Sequence, residues 1–232
     1  MANDSLVLNT TVGRKLLMAI TGLFLAVFLV THLSGNMLIF NDDQGRAFNE
    51  YTLFMTTNIF IRIVEIVLVV GFLAHIILSI NITRKNNAAR PIGYAVNKVN
   101  ETASIYSRNM GVTGSIILIF LILHLRTFWF AFHYGAIPQV VYEDGTSYKD
   151  MFYVVQTTFA DPLYSGLYVL AMILLGAHLV HGIQSALRSL GLNNRSWAPT
   201  VTRFGNAFAI AIALGFAIMP IIFYIRSIGV FN

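Results

Sequence analysis

Four histidines lie one to each of four separate apolar stretches: His32, His75, His124 and His178. An imidazole inside a bilayer costs free energy unless it meets a partner, so an intramembrane histidine marks a functional site by default. Four of them, one per stretch, match two pairs of axial ligands for two haems inside a helical bundle. One such histidine alone would read as a hydrogen-bonded buried residue; four at matched depths argue against that. His181 follows His178 by one turn and competes with it as a ligand. His133 falls at the end of its stretch, where an ordinary solvated histidine is the simpler reading.

Elements able to position these residues must be long and apolar. The 232 residues are 56% hydrophobic and 11% charged, where a soluble domain carries about 25% charged residues. A spanning helix needs about 20 mostly apolar residues, and five segments qualify: about 15–40, 58–83, 110–133, 163–187 and 204–226. The fold class is therefore all-α, an integral membrane bundle of five transmembrane helices in a single domain over 1–232. Pro220 should kink the last helix, its freed backbone group being satisfied by neighbours. No internal repeat, low-complexity tract or soluble domain stands out. The polar start, Met1 to Gly13, lacks the basic and short apolar regions of a cleaved signal peptide and is expected to stay on the protein. The chain has no cysteine, which rules out disulfides, cysteine-held clusters and covalent haem on these residues. Any haem here is b-type.

Loop charges set the orientation. One side carries Arg14, Lys15, Arg84, Lys85, Arg90, Lys98, Arg108, Arg188, Arg195 and Arg203 against Asp4 and Glu101. The other carries Arg46, Lys149 and Arg226 with Asp42, Asp43, Glu50, Glu143, Asp144, Asp150 and Asp161. The excess of Lys and Arg puts the first side, with the N-terminus, in the cytoplasm and the C-terminus outside. Phe128, Trp129 and Phe130 then lie near the outer interface and Trp197 near the inner one, as in an aromatic belt. The net charge of +5 needs no nucleic acid. The inner basic residues serve as topology determinants, or also as a docking face for a soluble subunit or anionic lipid.

Counting residues along each span gives depth. His32 lies 17 residues from the inner start of its helix and His124 about 15 past Asn109, so both sit in the outer half. His75 lies 17 residues from Asn58 and His178 16 beyond Pro162, counted from outside, so both sit in the inner half. The expected pairs are His32 with His124 and His75 with His178, in tiers about 10–15 Å apart. Gly71, Gly182 and Gly35 lie three or four residues from these histidines, on the same helical faces. They either clear room for a flat macrocycle or assist close helix packing. Arg126, two residues past His124, is a candidate partner for haem propionates, or snorkels to the outer interface. Arg62 and Glu65 form an intrahelical pair, or Arg62 meets a propionate while Glu65 exchanges protons with a quinone. Glu50, in the outer loop, is a second candidate for that proton exchange.

These segments together resemble a family. Thr31-His32-Leu33 leads to Gly35-Asn36, and Phe48-Asn49 to Phe54-Met55. Arg62-x-x-Glu65-Ile66, Ala74-His75, Leu123-His124 and His178-x-x-His181-Gly182 follow, running through Ser185 to Leu190-Gly191. The ordered set resembles the single-chain, five-helix, di-haem cytochrome b subunit of succinate dehydrogenase and fumarate reductase, over nearly the whole chain. The resemblance implies haem ligands at His32, His75, His124 and His178, favouring His178 over His181. It also implies a bacterial cytoplasmic membrane and two cytoplasmic partners, a flavoprotein with FAD and an iron–sulfur protein. Two b haems on this chain would then join those partners to a quinone, menaquinone in such di-haem types. Succinate-to-menaquinone transfer is uphill under standard conditions, and proton exchange on the outer side couples it to the membrane potential. Such a chain anchors, ligates haem and shapes the quinone site, with no succinate chemistry of its own. Two other readings stay open: a di-haem cytochrome b of another quinone-linked dehydrogenase, and a proton-coupled transporter using the histidines and Glu65 as a relay.

Overall fold

The computed structural model describes residues 10–88, 109–192, 194 and 196–230. In chain order the elements begin with α1 (Thr11–Asn36), closed by a 3-10 turn at Met37–Phe40, then α2 (Arg46–Thr57) and α3 (Ile59–Ala88). Helix α4 (Met110–His124) continues through a π-helical stretch, Leu125–Phe130, into α5 (Ala131–Tyr134). A hairpin follows, β1 (Gln139–Val141) with β2 (Ser147–Lys149), then α6 (Met151–Phe159), α7 (Pro162–Ser189) and α8 (Ala198–Ser227). Five stretches are long and apolar enough to cross a membrane: Thr11–Phe40, Ile59–Asn86, Met110–Tyr134, Pro162–Ser189 and Ala198–Ser227. They coincide with the five expected segments. Of the expected inner-side charges, Asp4, Arg90, Lys98, Glu101, Arg108 and Arg195 lie outside the described residues, as does most of the polar N-terminal segment.

Helix α7 is the hub, packing against α1, α4 and α8, while α1 also meets α3 and α8. A third of the most apolar stretch of α7 and of α8 is buried, but none of that of α3 or α4. The latter two thus present most of their apolar surface to lipid, which needs no core of its own. Small residues bring α7 and α8 together: a Cβ on Gly176 would stand 3.0 Å from Ala213 Cβ. Helix α8 runs on through Pro220, which is fully buried.

The expected loops at one end are in fact folded. α2, the hairpin and α6 form a cap over that end of the bundle. Ile39, Phe48, Met151, Val155, Phe159, Tyr168, Met219 and Phe223 form a shared buried cluster beneath it. Local chemistry drives each piece. Asp43 accepts the backbone N–H groups of Gly45 and Ala47 at 3.1 and 2.9 Å and starts α2. Asp150 and Asp161 do the same for α6 and α7, accepting from Tyr153 at 3.0 Å and Tyr164 at 2.7 Å. Asp144-Gly145 makes the hairpin turn, with Gly145 at φ +81° and Gln139 opposite Lys149. Asn49, 1% exposed, ties the cap together. Its amide nitrogen donates to Tyr142 OH and Asp150 Oδ1, both at 3.1 Å, and its oxygen accepts the Phe152 N–H at 3.0 Å. On the rim, Arg46 bridges Glu50 at 2.9 Å and Asp144 at 2.6 Å. Hydrogen bonds from Thr146, then Arg46, hold the Asp144 carboxyl at about 2. A depressed carboxylate favours the folded cap above its ordinary range, and that contribution fades as pH falls through about 2.

Candidate functional site

His32 on α1 and His124 on α4 stand side by side, ring centroids 5.8 Å apart and planes at 89°. The two imidazoles from different helices thus meet edge to face, and they are the residues that would hold a metal group here. The pair sits among aromatic rings. His32 stacks on Phe28 at 5.2 Å with Phe216 at 5.6 Å. His124 lies between Phe120 at 5.7 Å and Phe128 at 5.3 Å, and its Nδ1 is 3.2 Å from Tyr168 OH. Asn36 donates to the His32 carbonyl at 2.7 Å and sets the same nitrogen 3.3 Å from the ring Nδ1.

His75 on α3 and His178 on α7 are the second expected pair. Each ring has a threonine on a neighbouring helix: Thr21 Oγ1 is 3.2 Å from His75 Nδ1, and Thr113 Oγ1 is 3.4 Å from His178 Nδ1. A hydroxyl has one O–H. Thr21 has acceptors for it on its own helix, Leu17 O at 2.9 Å and Met18 O at 3.1 Å. Thr113 likewise has Asn109 O at 3.1 Å and Met110 O at 3.2 Å. Each oxygen is thus placed to accept from its histidine, and a histidine that gives Nδ1–H to it keeps the lone pair on Nε2. Among the described residues, no hydrogen bond reaches either Nε2. A histidine whose Nδ1–H is anchored and whose Nε2 is free has the form of a metal ligand.

Of the two roles expected for the glycines, packing between helices is the one found at Gly35 and Gly71. A Cβ on Gly35 would collide with the Tyr51 ring, and one on Gly71 would stand 2.9 Å from Phe24. Both admit aromatic side chains from neighbouring helices rather than clear a face for a macrocycle; a Cβ on Gly182 would reach Met110 Cε at 3.7 Å. The glycines beside the histidine rings are Gly22, whose Cβ would lie 3.4 Å from His75 Cε1, and Gly114, at 3.5 Å from His178 Cε1. Sequence reasoning missed them although a signal exists. Thr21-Gly22 precedes His32 by the same interval that Thr113-Gly114 precedes His124, and both segments read T-G-x5-F-L-x2-H.

Arg62, Glu65, Trp129 and His133 meet where α3 approaches the π-helical stretch. Arg62 donates to Glu65 Oε2 at 2.5 Å and to His133 Nε2 at 3.2 Å. Trp129 Nε1 donates to Glu65 Oε1 at 2.6 Å, and His133 Nδ1 donates to the Trp129 carbonyl at 2.8 Å. His133 is therefore a bonded member of a four-residue cluster, not an ordinary solvated histidine. Arg62 and Glu65 do form the intrahelical pair, and the cluster ties that pair across to the next span. Arg126 is exposed and, among the described residues, makes no hydrogen bond or ion pair. Glu50 sits on the cap rim, held by Arg46 and by Tyr148 OH at 3.3 Å. His181 is half-buried, within electrostatic reach of His178 and Arg188.

Among the described residues no three His, Asp or Glu side chains gather as they would around a bare metal ion. Two imidazoles per tier suit a metal whose remaining positions are filled by a macrocycle. Paired imidazoles, the aromatic rings around His32 and His124, and, among the described residues, no carboxylate hydrogen-bonded to any of the four histidines fit a haem better than a divalent cation. No family model, curated protein or solved structure matches the chain.

Proposed function

We propose that this chain is the di-haem cytochrome b membrane anchor of a succinate:quinone oxidoreductase. The observation that carries the reading is the pair His75 and His178, two imidazoles on different helices, each with a threonine oxygen at Nδ1 and, among the described residues, no hydrogen bond at Nε2. The outer pair supports it as a second meeting of imidazoles from different helices, and the ordered motifs resemble that family throughout. Bound haem would supply one-electron transfer between a cytoplasmic iron–sulfur partner and a quinone in the membrane. The chain's own residues hold the imidazoles at set depths, exclude water with Phe28, Phe120, Phe128 and Phe216, and anchor the soluble flavoprotein and iron–sulfur subunits at the basic face. The N-terminus is then cytoplasmic, as the distribution of Lys and Arg implies.

Of the two carboxylates considered for quinone chemistry, Glu65 is favoured because it lies within a span, beside His133 and Trp129. Glu50 is engaged on the cap rim. Glu65→Gln keeps the shape and loses the charge and the proton. Quinone turnover by the purified complex should fall about a hundredfold with both haems retained. Unchanged turnover would remove Glu65 from the quinone site.

Mild-detergent capture of the full chain tests the assembly. The expected result is co-purification of a flavoprotein and an iron–sulfur protein, with succinate reducing a b-type spectrum. Capture of a hydrogenase or formate dehydrogenase instead would assign the chain to another quinone-linked enzyme.

A further inference from the structure

The repeated Thr-Gly unit links the two tiers. Eleven residues separate Thr21 from His32 and Thr113 from His124, which is about three turns and about 16 Å of helix. In each helix the threonine and the histidine thus share a face, at different depths. α1 and α4 each supply one imidazole to the outer pair and one hydroxyl to the inner pair, which stands on α3 and α7. We propose that Thr21 and Thr113 are paired positioning residues that lower the reduction potential of a haem held by His75 and His178. This rests on the haem reading above and goes beyond it.

On the haem reading Nε2 binds iron, so Nδ1 carries the ring proton and the threonine oxygen accepts it. An oxygen that accepts Nδ1–H raises the basicity of Nε2 and its donation to iron, which favours the ferric state. Each threonine can take this role because a backbone carbonyl of its own helix lies within reach of its hydroxyl proton. Among the described residues no threonine meets either ring of the outer pair: the Asn36 nitrogen contacts His32, and the Tyr168 phenol contacts His124. Threonine control therefore belongs to the inner tier alone. A valine at either position keeps the shape and removes the acceptor; a serine keeps the acceptor.

The test is an optical redox titration of the purified full chain carrying T21V/T113V or T21S/T113S, with the inner haem defined as the one that H75A removes. The valine pair should shift the inner haem about tenfold toward ferrous at fixed ambient potential, about 59 mV upward for one electron. The outer haem should stay in place, and the serine pair should match the unsubstituted chain. Should the valine pair lose the inner haem while the serine pair keeps it, the hydroxyl is confirmed as the positioning group. An unshifted inner midpoint with both haems bound would overturn the proposal, as would equal shifts of both haems or loss of the inner haem in both pairs. Failure of the haem reading itself looks different: the unsubstituted chain would then carry no haem.

Discussion

Replacing His75 or His178 with alanine should lower the haem b content from two per chain to one, whereas His181→Ala should leave two. Each expected pair draws its imidazoles from its own two helices, α1 with α4 and α3 with α7, and no histidine belongs to both. Loss of one imidazole leaves the other tier intact. His32→Ala and His124→Ala should remove the other haem, and the pair His75→Ala with His124→Ala should remove both. His178 is preferred over His181 because its Nδ1 meets Thr113 and its ring lies against Gly114. His181 has no such fixed partner among the described residues. Pyridine haemochrome assays on the purified variants measure this directly. Retention of two haems in His178→Ala, with loss in His181→Ala, would move the ligand by one turn.

Asn49→Leu should be the most damaging single change in the cap. The side chain is 1% exposed and makes three hydrogen bonds, to Tyr142, Asp150 and Phe152. A leucine of similar size would strand the Phe152 N–H and take a donor from the Asp150 carboxylate, a cost of about 3 kcal/mol. For a chain of this length that is roughly a 10 °C drop in the thermal midpoint, read in detergent by circular dichroism. Glu50→Gln on the exposed rim serves as the control and should leave the midpoint in place, since exposed ion pairs contribute little. Equal midpoints for Asn49→Leu and the unsubstituted chain would show that the cap does not hold the bundle together.

The five spans were legible because the physics behind them is coarse: runs of about 20 apolar residues have few alternatives to a membrane. The cap was not, because its pieces are short. Its signals were nonetheless local and present, in Asp161-Pro162 at the start of α7 and Asp144-Gly145 in the hairpin turn. Asn49 could not be read from the sequence, since its partners lie about 100 residues away in β-hairpin and α6 segments. Helix counting reached His32 and His124 because depth scales simply with residue number. It left two roles open for Gly35 and Gly71, because a shared helix face does not say which residue of the next helix fills the gap. Tyr51 and Phe24 fill those two. The roles of Gly22 and Gly114 were readable only through the T-G-x5-F-L-x2-H repeat. The cluster around Glu65 needed the π-helical stretch, whose change of register no hydropathy pattern reveals.

On this account two imidazole pairs each hold one iron porphyrin. The full chain, produced in haem-replete cells and purified in mild detergent, should give a reduced-minus-oxidised b-type spectrum and a pyridine haemochrome value of two haems per chain. A colourless preparation, or a value of one, would contradict it.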